Sequence, residues 1–198
     1  HIDEVVLNVK MNPTTYKIAS ALKKHRVVEG EGEVILGDTP AKLMQKLHQI
    51  YSGTVKFESG ESMVLDSTKA EFIKDRFKGQ KIGIFYKFRE EYNALKSVFE
   101  DTICNTLDDF NGSDKNIALQ IVSGREGISL READALVYYN IDFSATSYWQ
   151  SRDRMTTKDR RTSKVYWLFS ERGIEKDIYK AVSNKKDYTL KHFKKDFL

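Results

Sequence analysis

Four apolar runs constrain the fold more than any other feature: Ile82-Gly83-Ile84-Phe85-Tyr86, Ile117-Ala118-Leu119-Gln120-Ile121-Val122, Ala135-Leu136-Val137-Tyr138-Tyr139 and Val165-Tyr166-Trp167-Leu168-Phe169. Each is strand-length and rich in β-branched or aromatic residues. With almost no alternation of polar and apolar positions, both faces of such strands must be covered. The stretches between them change to helical spacing, with Phe88, Tyr92, Leu95 and Phe99 after the first run and Ile174, Ile178 and Val182 after the last. A further helix is expected near Ser144 and a further strand near Ile103. This pattern predicts an α/β fold, a parallel sheet with helices on both faces. Sheets of this kind place their sites outside the carboxyl ends of the strands.

The first third reads differently. Val5-Val6-Leu7-Asn8-Val9 is a short strand candidate, and Asn12 is positioned to cap a helix with Pro13 in its first turn. Gly30, Gly32 and Gly37 mark a loop, and Thr39-Pro40 opens a second helix that ends near Ser52-Gly53. A hairpin-like turn is expected around Gly60, and Asp66-Ser67 caps a third helix that buries Phe72, Ile73 and Phe77.

The 198-residue chain has 40% apolar and 31% charged residues, which suits a packed core rather than disorder. No apolar run approaches the roughly 18 residues that span a bilayer, and His1-Ile2-Asp3-Glu4 does not resemble a signal peptide, so no membrane partner is expected. The single cysteine, Cys104, cannot form an internal disulfide, which favours a reducing, cytoplasmic setting. Charge is unevenly spread. Residues 1–149 carry 19 Lys and Arg against 22 Asp and Glu, whereas residues 150–198 carry 14 against 7. The carboxy-terminal quarter is therefore where phosphates are expected, although a solvated basic face has the same composition.

Two segments have the residue types for phosphate chemistry. Ser123-Gly124-Arg125-Glu126-Gly127-Ile128-Ser129-Leu130 follows a strand, and its glycines and hydroxyls can expose backbone N–H groups to an anion. In Tyr148-Trp149-Gln150-Ser151-Arg152-Asp153-Arg154, Gln150 and Arg154 lie one helical turn apart with Asp153 beside them. A guanidinium so placed offers two donors to a phosphate. Taken singly, the first segment is equally an ordinary β-to-α connection and the second a salt-bridged surface helix. No metal-ligand cluster is evident.

Their order and spacing resemble the carboxy-terminal RecA-like lobe of Swi/Snf-like superfamily-two helicases, in the form found in phage and bacteria. The likeness covers about residues 46–170. It begins at Lys46-Leu47-His48-Gln49-Ile50-Tyr51-Ser52-Gly53 and continues through Leu65-Asp66-Ser67-Thr68-Lys69. The family's fourth motif matches Lys81 through Phe88, its fifth matches Ser123 through Leu130, and its sixth matches Gln150 and Arg154. The resemblance implies a linker or helical extension over 1–65 and the lobe itself over 66–198, with residues 1–45 either linker or sheet edge. It assigns Arg154 and Gln150 to catalysis of ATP turnover and Gly127, Glu126 and Asp153 to nucleotide contact. Lys87, Ser123, Gly124 and Arg125 fall to the nucleic acid, single- or double-stranded DNA, through its backbone.

Two departures narrow this expectation. The second arginine of the sixth motif, the arginine finger, falls at Thr157. Lys158, Arg160 or Arg161 supplies the charge, or Arg154 acts alone, or hydrolysis is slow. The sequence also has no G-x-x-x-x-G-K-[ST] phosphate loop and no acidic pair in the right place. ATP and Mg would be held mainly by a first lobe of the same polypeptide in a bacterial or phage-infected cell, and the chain alone is expected not to hydrolyse ATP. The alternative is a non-catalytic module, derived from such a lobe, that binds DNA or protein. Unwinding, translocation and annealing are not distinguished.

Overall fold

Strands that are apolar on both faces need two cores, and the computed structural model, which describes residues 3–121, 130–154 and 164–198 (backbone only for 152–154), shows both. Six strands form one parallel sheet in the order β1 (Asp3–Val9), β10 (Lys164–Ser170), β9 (Ala135–Tyr138), β6 (Ile82–Tyr86), β8 (Asn116–Gln120) and β7 (Ile103–Cys104). Alternate residues serve opposite faces. Ile82, Ile84, Val137 and Leu168 pack under α3 (Thr68–Arg76) and α4 (Arg89–Phe99). Phe85, Tyr138, Trp167 and Phe169 pack under the helices of the other face, among them α2 (Pro40–Tyr51) and α7 (Glu175–Ser183). On that face Tyr138 stacks between Trp167 and Phe85, at centroid separations of 4.2 and 4.9 Å. The expected parallel α/β sheet with helices on both faces is the fold observed.

The amino-terminal third contributes to this sheet. β1 pairs with β10 along seven register positions, from Asp3 opposite Lys164 to Val9 opposite Ser170, so residues 1–45 include an edge strand. After it, α1 (Pro13–His25) starts at Asn12, but the Asn12 side chain makes no capping bond. The Asn12 N–H instead donates to Asp66 Oδ2 at 2.8 Å, and Thr15 Oγ1 donates to the same oxygen at 2.7 Å. The other oxygen of Asp66 accepts from the Thr68 hydroxyl and from the Thr68 N–H (2.9 Å), so Asp66 caps α3 while the Ser67 side chain makes no capping bond. Burial raises the carboxyl's pKa, but these donors together outweigh it and hold the group below its ordinary value. One carboxylate thus staples the starts of α1 and α3 together.

The glycine-marked loop is in fact a hairpin of β2 (Val27–Gly30) and β3 (Glu33–Leu36). Its central residues, Glu31 and Gly32, have φ of +50° and +80°, the mirror-image turn whose twist suits paired strands. The hairpin expected near Gly60 joins β4 (Thr54–Lys56) to β5 (Ser62–Val64). Between α2 and β4, Gly53 has φ +84° and lies so close to Asp66 that an added Cβ would meet its carbonyl oxygen at 2.1 Å. Three α-helices complete the described residues beside those already named: α5 (Leu107–Asn111), α6 (Ala145–Arg154), which carries the sixth-motif residues, and α8 (Leu190–Phe197). Among the described residues no helix is long and apolar enough to cross a membrane.

Candidate functional site

The carboxyl ends of β6, β8 and β9 lie side by side, and buried polar groups fix the chain as it leaves β6 and β9. Glu91, on the first turn of α4, is fully buried. Its Oε1 accepts from the Lys87 and Phe88 N–H groups at 2.7 and 3.2 Å, and its Oε2 accepts from Asn140 Nδ2 at 2.7 Å. Burial pushes its carboxyl up, and the Lys69 charge and the hydrogen-bond donors pull it back only in part. Asn140, just past β9, accepts at Oδ1 from the Ile141 N–H (2.8 Å) and from His48 Nε2 (3.0 Å).

His48 is fully buried on α2, with Phe143 and Phe88 around its ring at 4.5 and 5.1 Å. Its Nε2 faces two acceptors, Asn140 Oδ1 and the Ile141 carbonyl, each at 3.0 Å, so that nitrogen carries the proton. Burial first, and the Lys87 charge second, push the imidazole down to about 3, which keeps it neutral. His48 is therefore a fixed spacer between α2 and the end of β9 and takes no part in proton transfer near neutral pH.

Lys87 emerges from this frame. Its backbone is held by Glu91, and its ammonium lies 3.1 Å from Asp142 and over the rings of Phe88 and Phe143. Gln120, at the end of β8, donates from Nε2 to the Lys87 carbonyl at 2.9 Å. Lys87 is thus presented at the carboxyl edge expected for a phosphate contact, with its charge shared with Asp142. A phosphate there would compete with that carboxylate.

A second buried group ties β9 to β10. Lys69, with no exposed surface, donates to the Tyr139 carbonyl at 2.8 Å and the Leu168 carbonyl at 3.3 Å, and pairs with Glu175 at 3.1 Å. Glu175 also accepts from the Ser170 N–H (2.6 Å) and hydroxyl (3.1 Å). The Lys69 of the Leu65–Lys69 stretch is therefore an internal brace.

The sixth-motif helix is anchored from below. Trp149 Nε1 donates to the Val182 carbonyl at 2.9 Å, and the Tyr148 hydroxyl donates to Glu4 of β1 at 2.8 Å. Burial and that carboxylate push the Tyr148 phenol far up, so it remains a donor. Gln150 is half-buried one turn before Arg154, the last residue of α6. The side chains of Arg154 and Asp153 lie outside the described residues, as do Ser123, Gly124, Arg125, Glu126, Gly127, Thr157, Lys158, Arg160 and Arg161. The flanks of the fifth motif are placed. The Ile121 N–H donates to the Tyr86 carbonyl at 2.7 Å, and Leu130 is buried where a Cβ on Gly83 would stand 2.4 Å from its Cδ1.

Beside Lys87 a cleft of about 420 Å³ opens between α2, the β4–β5 hairpin and the loop after β6. Gln49, Thr54, Ser62, Lys87, Arg89 and Gln120 are among its lining residues. Among the described residues no group of three His, Cys, Asp or Glu is arranged to hold a metal ion. The sequence did not single out Glu91, Asn140, His48 or Gln49 as site residues. A glutamate on the third position of a helix is a readable capping signal, but nothing local distinguishes the other three.

No protein-family model matches the sequence, and no curated protein matches it. Solved structures do. The C-terminal part of the Fun30 ATPase domain superposes with a TM-score of 0.67 at 13% identity, over 97% of this chain and 93% of that one. The Sulfolobus solfataricus SWI2/SNF2 ATPase C-terminal domain gives 0.57 at 18% identity, over 92% and 86%. The SWI2/SNF2 ATPase core of the same organism, in complex with dsDNA, gives 0.56 at 20% identity, over 92% of this chain and 44% of that longer one. At these identities the likeness establishes the fold: a RecA-like α/β lobe of the kind found in SWI2/SNF2 C-terminal domains.

Proposed function

We propose that the chain is the second lobe of a nucleic-acid-dependent ATPase of the Swi/Snf-like helicase or translocase group, and that it completes an ATP site and a DNA track with a first lobe. The observation that carries this reading is the superposition on C-terminal ATPase lobes over 92–97% of the chain, with the sixth-motif positions Gln150 and Arg154 at the end of α6. An amide and a guanidinium one helical turn apart suit a triphosphate, whereas the sequence lacks a phosphate loop. The first lobe would therefore hold most of the ATP phosphates and Mg, and ATP supplies the phosphoryl group whose transfer drives the cycle. Arg154 is the contact for the terminal phosphate, with Gln150, Gly127, Glu126 and Asp153 beside it.

On the nucleic-acid side, Lys87, Ser123, Gly124 and Arg125 contact the strand backbone, which positions it without reading sequence. A Swi2/Snf2 core bound to dsDNA makes DNA the favoured partner. The narrower placement among phage and bacterial versions rests on motif spacing, and a reducing, cytoplasmic setting rests on a lone buried Cys104. In a polypeptide carrying both lobes, Arg154→Ala abolishes DNA-stimulated ATP turnover and leaves DNA affinity nearly unchanged. Turnover at the original rate would refute the assignment of the sixth motif. Thr157 at the finger position favours the second reading, a lobe-derived module that binds DNA or protein without turnover.

A further inference from the structure

The cleft beside Lys87 has features that a backbone track does not need. Its volume, about 420 Å³, lies within the roughly 300–1,000 Å³ typical of small-ligand pockets and far exceeds the roughly 30 Å³ of one water. Gln49 lines it, is 8% exposed, and has a buried Oε1 with no hydrogen-bond partner. Its backbone carbonyl is satisfied by the Ser52 and Thr54 hydroxyls at 2.9 and 3.0 Å, so the residue is pinned and only the amide is left over. A buried acceptor in that state gains a hydrogen bond when its amide turns toward a donor in the cleft, supplied by water or by a ligand.

The rest of the lining narrows the ligand. Lys56, Lys87 and Arg89 bring three cations, and the one lining carboxylate, Glu90, is already engaged by the Ser62 hydroxyl (2.7 Å) and Asn93 Nδ2 (2.9 Å). Phe88 adds an aromatic wall. Anion at the rim, flat apolar surface inside and an N–H donor for a side-chain amide are the attributes of a nucleotide. Glutamine amides pair with base edges in the same way, and bases stack on aromatic rings.

We propose that this cleft receives one unpaired base of the nucleic-acid strand, with Gln49 accepting from its N–H and Phe88 packing on its ring. Because a base inside a duplex cannot enter without leaving the stack, the site selects a single strand or a locally opened duplex. The proposal rests on the reading that nucleic acid runs along the carboxyl edge past Lys87, and adds base contact to it.

The test is fluorescence anisotropy with the 198-residue chain. It compares a labelled single strand, an abasic strand of the same length and charge, and a duplex. One hydrogen bond and one stacking contact should make the base-bearing strand bind about tenfold tighter than the abasic one. Gln49→Met, which keeps volume, should reduce that preference by about threefold or more, while the salt dependence set by phosphate contacts is unchanged. Equal affinity of the unaltered chain for the two single strands overturns the proposal, and needs no variant to fold. A preference that survives Gln49→Met in full overturns the role of Gln49, as would occupancy of the cleft by a peptide. If no strand binds with salt-dependent affinity, the nucleic-acid track itself falls as well.

Discussion

Lys69→Met removes a charge from a site without solvent, and its consequence can be worked from the contacts. The ammonium is lost from two strand-end carbonyls, those of Tyr139 and Leu168, and from Glu175 at 3.1 Å. Glu175 is only 1% exposed and keeps the Ser170 N–H and hydroxyl, but no counter-charge. Breaking a buried pair by removing one partner costs about 3–5 kcal/mol, out of a typical total of about 5–15 kcal/mol. With a urea slope of about 2 kcal/mol per molar, the unfolding midpoint should fall by about 2 M. Tryptophan fluorescence reports the transition, since Trp167 lies in the core at 2% exposure.

The same reasoning fixes a further outcome. Lys69→Met combined with Glu175→Gln should be less destabilised than Lys69→Met alone, because the stranded carboxylate is gone. A loss below about 1 kcal/mol, or strictly additive effects in the double variant, would refute the view of Lys69 as a brace.

Asp66→Asn should cost about 2 kcal/mol at neutral pH, since four hydrogen bonds to a charged acceptor weaken at once. The folded carboxyl is held below its ordinary value, so its contribution is complete above about pH 4 and is lost as pH falls through the folded value. Urea titrations from pH 6 downward should show a flatter acid limb in Asp66→Asn than in the unaltered chain. For the strand contact, Lys87→Ala should reduce the slope of log K against log salt by about 0.7–0.9, one phosphate's worth. Asp142→Asn, by releasing Lys87 from its 3.1 Å partner, should raise DNA affinity at low salt, and an unchanged affinity would remove that pair from the track.

The sheet was readable because strands buried on both sides leave unbroken apolar runs: β6 and β9 fall inside the runs that announced them, β8 starts one residue before its run, and β10 extends one residue beyond its run at each end. The strand character of Val5–Val9 was readable too, but its partner was not: pairing with β10 leaves no local mark on either segment. Three glycines read as a loop where the chain folds into the β2–β3 hairpin, since a mirror-image turn and a loose loop favour the same residue. The site divides in the same way. Lys87 lies just past the end of β6 and Gln150 one turn before the end of α6, the strand and helix settings that the sequence predicts for their segments. The Glu91–Asn140–His48 network and the cleft were invisible, because their members come from α2, α4 and the end of β9, and only the packed sheet brings them within 3 Å.

The pairing of β1 with β10 also sets an order of assembly. Its register joins residues about 160 positions apart, whereas Gly83 pairs with Ile117 and Ile82 with Ala135 across far shorter loops. Closing the longer loop costs about 1.4 kcal/mol more than closing the β6–β8 loop, by the logarithmic dependence on length. The central strands can therefore collapse early, with β1 added last onto an edge that β10 has already formed. In the native state an edge strand can open without the centre of the sheet, so amides of Val5 to Val9 should exchange with solvent through a local opening that the β6–β8 ladder does not share.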